Sequence, residues 1–163
     1  MKHTISILVE NHAGVLARVA GLFARRGFNI DSLAVGITED EKISRITIIA
    51  DGTAYTLEQI EKQLNKLIDV IKVRHLPAEE LLSRELVLIK VACQPSQRAE
   101  RISLAEIAKA KISDITVNTM TLELSDSVPR IKTFEELLRP YGIKETVRTG
   151  SIAMQKGGAS MKL

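Results

Sequence analysis

Asn11, His12 and Gly14 stand together in the stretch NHAGVL, residues 11–16, where an alternating apolar run gives way to helical spacing. An Asn side chain offers both a donor and an acceptor, and a Gly at a turn lets the backbone come close to a ligand. A helix that begins there presents unpaired N–H groups and a partial positive charge. The N–H groups near Gly14, Val15 and Leu16 could receive a carboxylate, and Asn11 could bond an α-amino or a carboxylate group. That chemistry is recognition of a free amino acid, with no bond made or broken. His12 is the only residue of the turn able to move a proton. Local physics leaves a second use equally open, in which Asn11 caps the helix and Gly14 merely permits the turn.

Other catalytic patterns are missing from the sequence. It has no Walker glycine loop, no GxSxG and no HExxH. His3, His12 and His75 are far apart and lack ligand spacing, and His75, on an alternating run, reads as structural or solvated. Glu58, Glu61 and Asp69 read as a wet helix face, and Arg25–Arg26 before Gly27 as cationic charge at a helix C-terminus. A single cysteine, Cys93, excludes an internal disulfide and a Cys-based zinc site, and reads as a small core residue.

Among the 163 residues 45% are apolar, only 3% are aromatic, and the net charge is +3. Residues 1–78 hold ten Lys/Arg against nine Asp/Glu, and residues 79–163 hold thirteen against eleven. Neither half is a basic module, so no nucleic-acid partner is expected. No apolar run approaches the ~18 residues of a membrane span, and Glu10 and Asn11 come too early for a signal peptide. A cytoplasmic protein with no membrane partner is the expectation.

The elements that must position the turn follow from periodicity. Ile5, Ile7 and Val9 alternate as in a half-buried strand. Leu16, Val19, Ala20 and Phe23 share one helix face, which Gly27 ends, and Gly21 inside it suggests close packing. Phe28 and Ile30 have one parity and Leu33, Val35 and Ile37 the other, which predicts a bulge near Asp31–Ser32. Residues 43–50 predict a third strand, Leu57, Ile60, Leu64 and Leu67 a second helix, and residues 70–75 a fourth strand. Pro77 and AEE read as a linker. The pattern then repeats: strand 85–93, helix 96–109 with Ile102, Ala105 and Ala108 apolar, hairpin 112–117 and 119–124, a helix marked by Ile131, Phe134 and Leu138, and a last strand 143–154. The tail QKGGASMKL is expected to fray.

Two β-α-β-β-α-β units result, an α+β protein of two tandem ferredoxin-like domains over residues 1–77 and 78–163. Helices would cover one face of each sheet, leaving the other face and the edges in need of partners. Two enzymic or binding uses of this fold lack their required side chains. An acylphosphatase needs an Arg in ENHAGVL, and an RNA-recognition module needs sheet aromatics in SRITIIA.

The runs VENHAGVLARVAGLFARRGFNIDSLAVGITE, SRITI and EQIEKQLNKLIDVIKV, with RELVLIKV and LLRPYGIKETVRTGSIAM later, closely resemble the small regulatory subunit of acetolactate synthase. The resemblance implies an ACT domain in the first half and a chain that is not itself an enzyme. It implies binding to the large catalytic subunit, whose cofactors are thiamine diphosphate, Mg²⁺ and FAD, with no cofactor or metal in this chain. It further implies activation of that subunit in branched-chain amino-acid synthesis and feedback inhibition by valine, or by leucine or isoleucine, at the interface of a homodimer formed through ACT domains. By motif, Asn11, Ala13, Gly14, Val15 and Leu16 would hold the effector from one chain, and Asn29 and Ile30 from its neighbour. Position 13 is often Pro in the family and His12 is variable there, so His12 receives no role. A free-standing amino-acid sensor is the alternative.

Overall fold

A computed structural model describes residues 1–162. They divide into two compact units, Met1–Leu82 together with the residues from Ser151 onward, and Ser83–Gly150.

The first unit contains β1 (Lys2–Glu10), α1 (Val15–Arg25), β2 (Ile30–Ile37), β3 (Ile43–Asp51), α2 (Ala54–Leu64) and β4 (Val70–Leu76). Its antiparallel sheet has the order β2-β3-β1-β4. The register sets Ile5 opposite Ile48 and Ile7 opposite Ile46. These residues pack with Val9, with Val15, Val19, Leu22 and Phe23 of α1, and with Ile60 and Leu64 of α2. The period of two along the strands and of 3.6 along the helices is thereby satisfied on one shared core. The bulge expected near Asp31–Ser32 is present as a register shift between Ile30 and Ser32. Gly27, at φ 70°, ends α1, in the left-handed region that glycine tolerates. Gly21 meets no close neighbour: a Cβ there would touch only the Arg25 side chain, at 3.8 Å.

The second unit repeats the order with β5 (Leu81–Ala92), α3 (Arg98–Ala108), β6 (Lys111–Ile115), β7 (Thr119–Asp126), α4 (Val128–Leu138) and β8 (Ile143–Arg148). Its path is β6-β7-β5-β8, and β9 (Ile152–Gln155) pairs with β5 off that path. Val87, Ile89, Val91, Met120 and Leu122 form its core with Ile131, Phe134 and Leu138, and Cys93 is fully buried among them. α3 departs from its expected apolar face. Arg101 and Ala105 are its buried residues, while Ile102 is 37% exposed. The Arg101 guanidinium lies 3.8 Å from the Tyr141 ring centroid and 3.1 Å from Glu100, so a cation takes a core position by stacking and pairing.

Three expectations about boundaries need correction. The AEE segment is one 3₁₀ turn, Ala78–Glu80, and β5 starts at Leu81 instead of Glu85. The last strand is two, because Gly150 at φ 81° breaks it. The tail QKGGASMKL, described as far as Lys162, does not fray away from the first unit: Lys156 N donates to Glu80 O (2.7 Å), Gln155 Nε2 to Glu80 Oε2 (2.6 Å) and Arg74 Nη1 to Ser160 O (3.3 Å), while Leu163 lies outside the described residues. β9 lies against β1, Arg45 Nη2 donates to Ala153 O (2.7 Å), and Ser151 N donates to Ser32 Oγ (2.8 Å). The sheet face expected to need a partner therefore meets the chain's own tail, and Thr4, Ser6 and Leu8 on it are buried. Residues from Ser151 belong to the first unit for this reason, although they fall inside the expected 78–163 domain. Among the described residues no helix is long and apolar enough to cross a membrane.

Candidate functional site

β1 delivers the chain to the turn, and α1 leaves from it. Gly14 is the cap residue of α1, at φ 90° and ψ −15°, a conformation that costs a residue with a Cβ about 1–2 kcal/mol. No side chain caps this helix start. Its first-turn N–H groups are therefore free to receive an acceptor, with the positive end of the helix behind them. Val15 points into the core at 3% exposure, and Leu16 stays 42% exposed at the rim.

Asn11 does not cap the helix. Its Nδ2 donates to Glu41 O (2.7 Å), and its backbone N–H donates to Lys42 O (2.7 Å). Both bonds tie the turn to the β2–β3 connection and leave the Asn11 carbonyl oxygen available. An open cleft of about 440 Å³ lies beside it, lined by Glu10, Asn11, His12, Asp40, Lys42, Ile43 and Ile71.

Beneath the turn lies a charge network that residue spacing did not reveal. Asp69, read from sequence as part of a wet face, is 4% exposed. Its carboxylate accepts from the Arg18 guanidinium and meets His12 Nε2 at 2.9 Å, and its backbone carbonyl accepts from Glu10 N at 2.9 Å. Glu10 Oε2 lies 3.3 Å from the same His12 nitrogen. The His12 pKa is raised. The Ala13 carbonyl beside Nδ1 is the largest cause; desolvation opposes it, and Asp69 and Glu10 add to it. Glu10, His12 and Asp69 bring three donor atoms within 4.8 Å of one another, but Arg18 already pairs with Asp69, so the set works as an ion-pair network. His12, given no role from sequence, thus braces the turn. The link between His12 and Asp69 spans 57 residues, and no local pattern marks it.

The structure brings Asn11, Ala13, Gly14, Val15 and Leu16 into one turn and leaves Asn29 and Ile30 elsewhere. Glu10 pairs with Ile43 at one end of the sheet, whereas Ile30 pairs with Ala50 near the other. Seven residue-to-residue steps along β3, from Ile43 to Ala50, separate these ends, roughly 23 Å at ~3.3 Å per step. Asn29 Nδ2 donates to Asp31 Oδ1 (2.9 Å). Within one chain these residues do not share a ligand with the turn.

Residues 5–72 match the AHAS small subunit-like ACT domain, and residues 84–157 match the small subunit of acetolactate synthase. The chain belongs to the acetolactate synthase small-subunit family. It is 50% identical over 157 residues to the probable acetolactate synthase small subunit of Archaeoglobus fulgidus, covering 96% of this chain and 98% of that one. To the acetolactate synthase small subunit of Mycobacterium leprae it is 44% identical over 155 residues, 95% of this chain and 92% of that one. The crystal structure of the acetolactate synthase small subunit from Thermotoga maritima superposes with a TM-score of 0.91 at 38% identity, covering 98% of this chain and 99% of that one. Both units of the chain are thus small-subunit units, and the turn at Gly14 lies inside the ACT match.

Proposed function

We propose that this chain is the regulatory subunit of acetolactate synthase. In this reading it binds and activates the large catalytic subunit, and two copies pair through their ACT units to bind valine or a related branched-chain amino acid. Thiamine diphosphate, Mg²⁺ and FAD then belong to the catalytic subunit. The observation that carries the reading is the uncapped helix start at Gly14, with free N–H groups suited to an α-carboxylate and Asn11 beside it.

Geometry supports the pairing. β2 is an edge strand that exposes Val35 (47%) and Ile37 (63%). Antiparallel pairing of two such edges sets the start of one β2 against the end of the other. Asn29 and Ile30 of one copy then approach the end of the sheet that carries the partner's turn, as a shared effector site requires. Valine can regulate only by binding two arrangements of the pair unequally.

The test is acetolactate production by a cognate large subunit alone, with this chain, and with this chain plus valine. Activation followed by inhibition with valine is expected. Absence of any effect, with a folded chain and a proven cognate subunit, would favour a free-standing sensor instead.

A further inference from the structure

The first sheet's face away from α1 and α2 is rich in cations. The register places Arg45 and Lys72 on either side of Leu8, and Arg74 opposite Ser6 one row along. Alternation puts all three on the face away from Ile5 and Ile7. The tail crosses this face. Arg74 Nη1 reaches Gln155 Oε1 (3.4 Å) and Ser160 O (3.3 Å), and Lys72 Nζ donates to Lys162 O. A cavity of about 250 Å³ lies beneath the tail, with Arg45, Arg74, Glu39, Met154 and Lys162 in its lining.

The hydrogen bonds made by the two arginines go to neutral acceptors, carbonyl oxygens that satisfy geometry but carry no net charge. Among the described residues neither guanidinium forms an ion pair. Arg45 Nε is buried without a partner, and so is Ser6 Oγ on the same face. Burial, and then the neighbouring Arg74 charge, pull the Arg45 pKa below its ordinary value, a direction that a bound anion would reverse; the Glu39 carboxylate in the same lining opposes them without cancelling them. A guanidinium offers a planar fork of N–H donors that matches two oxygens of one oxyanion.

We propose that this cavity binds a small oxyanion, a phosphate or carboxylate group, between Arg45 and Arg74, and that the bound anion pins residues 154–162 onto the sheet. The site is separate from the turn at Gly14 and does not depend on the effector assignment.

Thermal unfolding of the full chain, in inorganic phosphate and in chloride at matched ionic strength, tests the proposal. Hydrogen exchange of residues 154–162 is followed in parallel, and succinate serves as the carboxylate arm. Phosphate or succinate is expected to raise the unfolding midpoint and slow exchange in the tail. A response to phosphate alone assigns a phosphate-bearing ligand, and a response to succinate alone a carboxylate. Arg74→Gln should raise the half-saturating concentration at least about tenfold, the scale of one lost charged hydrogen bond. Arg45→Lys, which keeps the charge and loses the fork, should weaken the response and remain folded. Lys144→Gln in the second unit should leave it unchanged. An equal midpoint and equal tail exchange in all three salts would overturn the proposal, as would an undiminished response in both arginine variants.

Discussion

The turn from β1 into α1 and the turn from β5 into α3 hold the same place in their units, and they treat their donors differently. The first places Gly14 at φ 90° and leaves the helix start without a side-chain cap. The second closes on itself. Gln94 and Gln97 form a reciprocal capping box around the 3₁₀ turn Pro95–Gln97 that leads into α3, and Gln94 N donates to Gln97 Oε1 at 3.2 Å. Pro95 removes a further N–H. One topology thus supplies two helix starts: α1 opens directly on Gly14, whereas α3, itself without a side-chain cap, is entered through a capped 3₁₀ turn. The repeat of the fold is not a repeat of the site.

The comparison breaks most sharply at Gly14. Gly14→Asp is expected to abolish inhibition by valine in the reconstituted enzyme while activation persists, because its carboxylate would repel the effector's. A Cβ at Gly14 meets nothing within 4 Å, so the cost to folding is about 1–2 kcal/mol from backbone conformation alone. Inhibition at the wild-type valine concentration would sink the site assignment.

Next in size is Asp69→Ala. It removes the buried acceptor of Arg18 and His12 and should destabilise the first unit by about 2 kcal/mol, read as a lower urea midpoint. An unchanged midpoint would mean that the network beneath the turn contributes nothing.

A smaller pair of substitutions sharpens the contrast between the turns. Gln94→Ala should cost about 1 kcal/mol of stability, the scale of a lost cap, with the valine response intact. Asn11→Ala should instead raise the half-inhibitory valine concentration. If both variants shifted the valine response alike, the two turns would not differ in function.

The smallest effect concerns pH. His12 titrates higher in the folded chain than its ordinary 6.5, so its contribution to stability is complete below that value and fades as pH rises through the raised folded value. His12→Gln should flatten this part of the stability profile. A wild-type profile already flat from pH 6 to pH 8 would contradict the bracing role of His12.

Alternating Ile5, Ile7 and Val9 and the helical spacing of Val19 and Phe23 were enough to place β1 and α1, since burial imposes those periods on any sequence that folds this way. The parity change between Ile30 and Leu33 disclosed the bulge for the same reason. α3 was less legible, because its buried Arg101 is a cation that only Tyr141 and Glu100, distant or hidden in the pattern, make acceptable in a core. Asp69 misled in the same way, since its burial depends on Arg18 and His12.

Local sequence alone determined the two β-α-β-β-α-β units, the Gly14 turn and its placement at a helix start, because period and backbone permissiveness act between near neighbours. Tertiary structure decided the rest. It chose which sheet face the tail covers, it set Asp69 beneath the turn, and it parted Asn29 and Ile30 from Asn11 by the length of the sheet. Those outcomes rest on contacts between residues far apart in the chain, and such contacts leave no period to read.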